Sequence, residues 1–152
     1  MADAKSRWYY DACALDQRNT YYEITNKNPP KEAVISHLAL GEAHGNSHSK
    51  GSKVADAFIQ LIESLRGLIK IVGNDGVESE YESINDIFPY NKFSKFTITD
   101  RIHLATALKH GCTLFVTTDQ FLIKSLPKKK LEELCRRCNC CECAIVEAKD
   151  RT

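Results

Sequence analysis

The segment TITDRIHLATALKHGCTLFVTTDQ, residues 97–120, constrains the fold more than any other part of the chain. Leu104, Ala105 and Leu108 share one face of a helix, and alanines at 105 and 107 allow close packing. Thr99 can cap that helix, which runs to His110, and Gly111 supplies its stop. Thr113–Thr118 (TLFVTT) is then a run of strand formers. A helix that returns to a sheet in this way starts near the carboxyl edge of the strands. Asp100 opens the helix and Asp119 ends the strand, so two carboxylates are placed on that edge.

The rest of the chain repeats the alternation. Trp8, Tyr9 and Tyr10 suit a strand that ends at Asp11, and NKNPP at 26–30 signals a loop. Ala33–Ile35 predicts a second strand, with Ser36 as N-cap of a helix carrying Leu38, Leu40 and Glu42. HGNSHSKGS, from His44 to Ser52, reads as a flexible loop or a broken helix. Val54, Phe58, Leu61 and Leu65 recur at helical spacing. Leu68–Val72 predicts a strand ended by GNDG, Glu78–Phe88 an acidic helix, and Pro89–Thr97 a connection. Phe121–Leu126 and Lys128–Cys138 predict helices, and Cys143–Glu147 a last strand. Strands alternating with helices imply a single α/β domain over 1–152, its central parallel sheet flanked by helices on both faces.

The formal net charge is +1, so bulk charge names no partner. Ile71–Asn91 holds five acids and no Lys or Arg, whereas Lys124–Arg137 holds six basic residues and two acids. Two solvated faces of opposite sign account for this; a basic lane for a phosphate backbone is the sharper alternative. No apolar run approaches the roughly 20 residues needed to span a bilayer, and MADAKSRW has no apolar signal core. Seven cysteines, mostly crowded together, fit a reducing compartment, so the expectation is a cytoplasmic protein without membrane contact.

Ligands of open α/β sheets bind beyond the carboxyl ends of the strands. Asp11 and Asp119 follow predicted strands, Asp100 opens a helix there, and Glu42 lies about two turns into the helix after the second strand. Four acids from four segments can converge. Like charges in one pocket oppose folding unless a cation joins them. Mg²⁺ and Mn²⁺ favour oxygen ligands, and one or two such ions would be held by Asp11, Glu42, Asp100 and Asp119.

DRIHLATALKHGCTLFVTTDQFL resembles the C-terminal signature of PIN domains, in which an Asp opens a helix with an HLATAL-like core and a strand ends in T-D. WYYDACAL resembles that family's first strand with its leading Asp, and AVISHLALGEAHG the segment bearing its Glu. The resemblance spans Trp8 to about Leu126. It implies an α/β/α sandwich and a Mg²⁺- or Mn²⁺-dependent endoribonuclease. Asp11, Glu42, Asp100 and Asp119 would be its catalytic and metal-ligating acids, and Thr117 a hydroxyl supporting the last of them. Gln120, Phe121 and Leu122 stand where some members carry a fifth acid. Many small single-domain members are toxins of VapBC-type pairs, so the implied partners are RNA, an inhibitory antitoxin and a second copy of the chain.

Lys128, Lys129, Lys130, Arg136 and Arg137 are the candidate RNA-backbone contacts. The Cys-rich segment 135–143 (CRRCNCCEC) is not part of the family pattern. Cys135, Cys138, Cys140, Cys141 and Cys143 crowd into one turn, whereas structural zinc usually draws ligand pairs from separated segments, so free thiols are the expectation, with a bound metal and redox or intermolecular disulfides as the alternatives. Cys13 and Cys112 read as small core residues, His103 as part of the packed core, and His44 and His48 as loop residues. Two other functional readings fit the same residues. One is an RNA-processing nuclease without an antitoxin; the other is a non-catalytic binding scaffold that kept the fold. Metal-dependent cleavage by the purified chain separates the scaffold from both nucleases.

Overall fold

Tyr9 and Tyr10 are adjacent and both fully buried, yet they belong to different cores. Successive side chains of a strand point to opposite faces, so this strand is covered on both sides. The computed structural model describes residues 6–15, 24–25, 31–140 and 142–148; the predicted NKNPP loop lies outside them. In chain order the elements are β1 (Ser6–Tyr10), β2 (Lys31–Ser36), α1 (His37–His48), α2 (Ser52–Ser64), β3 (Ile69–Val72), α3 (Glu78–Ile87), α4 (Ile98–Lys109), β4 (Leu114–Thr117), α5 (Gln120–Ser125), α6 (Lys128–Arg137) and β5 (Ala144–Glu147).

The strands form one five-stranded, all-parallel sheet in the order β3-β2-β1-β4-β5. Ala33, Ile35, Tyr10 and Val116 face α1 and α2. Val34, Val72, Tyr9 and Phe115 face α3 to α6. The α/β sandwich expected from the alternation is therefore the architecture observed. Connections run one way from β1 through β2 to β3 and the other way from β4 to β5. The reversal lies between β1 and β4, the switch point at which open α/β sheets have their ligand crevice beyond the carboxyl ends of the strands. At the base of that crevice the Asp11 amide still donates to the Val116 carbonyl at 2.9 Å.

Three local expectations are refined or corrected. Of the two readings of His44–Ser52 the broken helix holds: α1 runs through His48 and breaks at Ser49–Gly51 before α2, so His44 and His48 are helical and not loop residues. The polar surface of this stretch hid a buried stripe of small residues, Ala39, Ala43 and Ser47, on which α1 packs. Helix α4 is capped by Thr97, not Thr99: the Thr97 side chain accepts from the Asp100 amide at 3.1 Å. Asp100 is thus the third helical residue, and Gly111, at φ 70°, provides the expected stop. The acidic and basic segments are largely solvated, as expected, but they adjoin each other. Helices α3 and α6 lie side by side, with Arg137 paired to Asp86 at 2.6 Å and Lys130 Nζ donating to the Ile87 carbonyl at 3.4 Å.

Candidate functional site

Each acid reaches the β1–β4 crevice from a different element. Asp11 follows β1 with extended backbone (φ −68°, ψ 153°) and caps the short turn Ala12–Ala14. Its Oδ1 accepts from the Ala12 amide at 2.8 Å; its Oδ2 accepts from the Thr117 hydroxyl at 2.9 Å and from Cys13 Sγ at 3.3 Å. Asp119 follows β4 and caps α5, its Oδ1 accepting from the Phe121 and Leu122 amides at 2.9 and 3.4 Å. Thr117 joins the two: the same hydroxyl that donates to Asp11 accepts from the Asp119 amide at 3.0 Å. The resemblance implied that Thr117 supports the last acid, and here it supports the first as well.

Asp100 sits in a capped helix turn. The Thr97 hydroxyl accepts from its amide, as the N-cap of α4, and places the Asp100 side chain in the first turn beside Thr97. Burial raises the Asp100 carboxyl above its ordinary range, the negative charges of Asp11 and Asp119 raise it further, and the Thr97 bonds pull it down. Glu42 comes from the second turn of α1 and accepts from His103 Nε2 at 2.6 Å, while the same nitrogen lies 3.6 Å from Asp11 Oδ1. The four predicted acids therefore share one field at the crevice.

Residues that the sequence did not mark complete the frame. His103 is buried as expected, but it lies among the acids rather than in apolar packing. Asn74, read as a turn residue, accepts from the Leu38 amide and donates to Thr106 Oγ1, each at 3.0 Å, and so ties the start of α1 to α4. Cys13 is exposed at the rim of the crevice rather than buried, held there by Thr117 and Thr118, whereas Cys112 is buried as expected. The basic residues do not join the acids. Lys130 and Arg137 are tied to α3, while Lys128, Lys129 and Arg136 are exposed along α6. An apolar cleft of about 180 Å³ between α5, α6 and β5 contains none of the four acids, so it is not where this chemistry converges.

The donor chemistry fits a hard divalent cation: four carboxylates, with both nitrogens of His103 already engaged by Tyr9 and Glu42. Among the described residues no group of three or more His, Cys, Asp or Glu side chains is arranged to ligate one ion directly.

The shared field has a measurable cost. Asp100 titrates above an unfolded carboxyl, so the folded chain binds its proton more readily. Stability contributed at this site falls as pH rises from about 3.9 through the raised folded value, and the penalty is fully present at neutral pH. Asp100→Asn keeps the capped amide and removes the charge. In chelator at pH 7 it should be more stable than wild type by about 0.5–1 kcal/mol, a modest figure because the group is partly solvated. At pH 3 the difference should vanish. The lost helix-dipole attraction opposes this by about 0.3–1 kcal/mol. Urea unfolding at both pH values decides it: a variant less stable at pH 7 than at pH 3, relative to wild type, shows the cap winning and removes the argument for crowded charge.

Compared with known families and with curated proteins, the sequence matches none, so the functional reading rests on the convergence of these acids.

Proposed function

We propose that the chain is a Mg²⁺- or Mn²⁺-dependent endoribonuclease that acts on single-stranded or structured RNA, as a toxin restrained by a partner protein. One observation carries the nuclease reading: Asp11, Glu42, Asp100 and Asp119, from four separate segments, share a field at the switch point of a parallel sheet. The toxin assignment rests on the resemblance to small PIN-domain toxins. A divalent ion bound there would supply Lewis acidity and a water acidic enough to attack phosphorus in line. The chain's own groups hold the frame. The Ala12 amide and the Thr117 hydroxyl fix Asp11, and the α5 amides fix Asp119. Thr97 caps the helix turn that carries Asp100, and the bonds to Asp11 and Asp119 leave those carboxylates little reorganisation when substrate arrives. A carboxylate within reach of the attacking water accepts its proton.

Attack by water with departure of the 3′-oxygen leaves a 5′-phosphate and a 3′-hydroxyl. The test is cleavage of a labelled RNA by the purified chain in Mn²⁺ and in EDTA, with the product ends identified. Cleavage that persists in EDTA and leaves 2′,3′-cyclic phosphate would mean a different chemistry. The toxin role is tested separately: induced expression should arrest growth, and the Asp100→Asn chain should not.

Lys128, Lys129 and Arg136 are the exposed basic residues of α6 that are not engaged with α3 among the described residues, and so the candidates for phosphate binding. Replacing all three by Gln should weaken RNA binding and reduce the log–log salt slope by about 0.7 for each phosphate of a single strand that is no longer neutralised. Arg137→Gln, whose side chain is paired with Asp86, should leave the slope nearly unchanged. Filter binding at several salt concentrations checks both. An unaltered slope in the triple variant removes α6 from the RNA path.

A further inference from the structure

Two of the four acids accept from main-chain amides, Asp11 from Ala12 and Asp119 from Phe121 and Leu122, and Asp100 stands in the first turn of a helix capped by Thr97. Glu42 has neither support. Its side chain is 38% exposed, and among the described residues the hydrogen bond it accepts comes from His103 Nε2, 2.6 Å away. An exposed Glu on a helix samples many rotamers, and ordering it costs up to about 1.5–2 kcal/mol of side-chain entropy. His103 has no such freedom. It is 1% exposed, and its Nδ1 lies 2.5 Å from the Tyr9 hydroxyl, which lies 2.8 Å from Ser36 Oγ.

Proton bookkeeping gives this chain of bonds one direction. The Ala39 amide donates to Ser36 Oγ at 3.1 Å, so the single Ser36 proton is available for Tyr9. The Tyr9 proton then goes to His103 Nδ1, and the ring's own proton sits on Nε2, aimed at Glu42. Reversing the direction would make Ser36 accept twice and leave a buried hydroxyl proton unmatched, which is costly. Either way a carboxylate cannot donate, so Nε2–H donates to Glu42.

We infer that His103 is a positioning residue: its Nε2–H holds the Glu42 carboxylate beside Asp11, and Tyr9 and Ser36 lock the ring tautomer that does so. The inference rests on the nuclease reading for its consequence, because a placed Glu42 matters as part of a cation site. Its geometry is the reverse of the familiar arrangement in which a carboxylate orients a metal-bound His. Here the imidazole, buried in the sheet–helix core, orients the carboxylate. Removing such a supporting partner typically weakens metal affinity 10–100-fold.

The test uses the full chain and Mn²⁺, with affinity read by isothermal titration calorimetry. His103→Leu should weaken binding 10–100-fold, and His103→Gln, whose amide can still donate to Glu42, should recover most of the loss. Tyr9→Phe, which removes the hydroxyl that orients the ring, should give a smaller loss in the same direction. Nitrogen-15 spectra of the metal-free wild type add a readout independent of metal: the His103 ring should carry its proton on Nε2, with a resonance that shifts in Glu42→Gln. If wild type binds Mn²⁺ and all three variants bind it equally well, the inference fails and the nuclease reading stands. If His103→Leu does not fold, the comparison of His103→Gln, Tyr9→Phe and wild type decides in the same way. A wild-type chain that neither binds Mn²⁺ nor cuts RNA overturns both. A proton on Nδ1, or a resonance indifferent to Glu42→Gln, overturns the inference alone.

Discussion

Asp100→Asn is expected to lower metal-dependent RNA cleavage by at least about a hundredfold while the protein stays folded. Removing a supporting partner of a metal ligand already costs 10–100-fold, and a direct ligand or charge at the reacting centre costs more. Asn keeps the size of the side chain and the amide that donates to Thr97, so the start of α4 survives. What disappears is one negative charge in a field shared with Asp11 and Asp119. Asp11→Asn should lose as much activity but is structurally less innocent. Both oxygens of Asp11 accept hydrogen bonds, one from Ala12 and the other from Thr117 and Cys13. An amide offers one acceptor only, so Thr117 is left facing an NH₂ group, at a cost of about 1–3 kcal/mol. Asp56→Asn, an exposed acid of α2 remote from these bonds, is the control and should cleave at the wild-type rate. Single-turnover cleavage in Mn²⁺, with circular dichroism melts alongside, makes the comparison. Should Asp100→Asn and Asp11→Asn both cleave within threefold of wild type, the site assignment is wrong.

Strand positions were legible because a fully buried parallel sheet needs runs of β-branched and aromatic residues, and WYY, AVI and LFV are such runs. The carboxyl edge followed from the alternation alone, which is why all four acids could be placed on it from the sequence. What stayed hidden depended on pairs distant in the chain. His103 reads as one more core residue of HLATAL until Tyr9 and Glu42, 94 and 61 residues away, are seen on its two nitrogens. That the solvated charge blocks at 71–91 and 124–137 adjoin each other was hidden, because nothing local reveals that α3 and α6 pack together. The cap at Thr97 was missed by two residues because TITD offers two threonines, and only the distance of three to Asp100 distinguishes the one that accepts from its amide. The helical register of α1 was masked by its glycines and serines. The signal that could have found it, small residues at 39, 43 and 47, is a packing signal and not a hydrophobic one.

Arg101→Met is expected to destabilise the protein by about 3–5 kcal/mol, because several buried neutral acceptors lose their donor at once. Arg101 is completely buried in α4, next to Asp100. Among the described residues no carboxylate pairs with it. Instead its guanidinium donates to the carbonyls of Phe88, Phe93 and Phe96 and to Asn85 Oδ1, and it lies over the Tyr90 and Phe96 rings at 3.8 and 4.6 Å. Carbonyl dipoles and aromatic faces take the place of a counter-ion. Apart from Asn85 at the end of α3, these partners belong to the connection between α3 and α4, so one side chain closes that segment and delivers it to the Thr97 cap. Met replaces much of the volume but donates nothing, and each carbonyl left buried costs about 1–3 kcal/mol unless the segment opens to water. Opening limits the loss and sets its pattern. Amides of 88–97 should exchange with solvent faster in the variant, while those of β1 and β2 keep their protection. Lys at 101 should rescue little, because an ammonium lacks the planar fork that reaches several carbonyls at once. The cost should also reach the site: Asp100 lies one residue away, and a loosened start of α4 should weaken Mn²⁺ binding in Arg101→Met by more than its average destabilisation explains. Urea unfolding with a loss under about 1 kcal/mol, or exchange that rises uniformly across the sheet, would show that the guanidinium is replaceable packing and not the clasp of this connection.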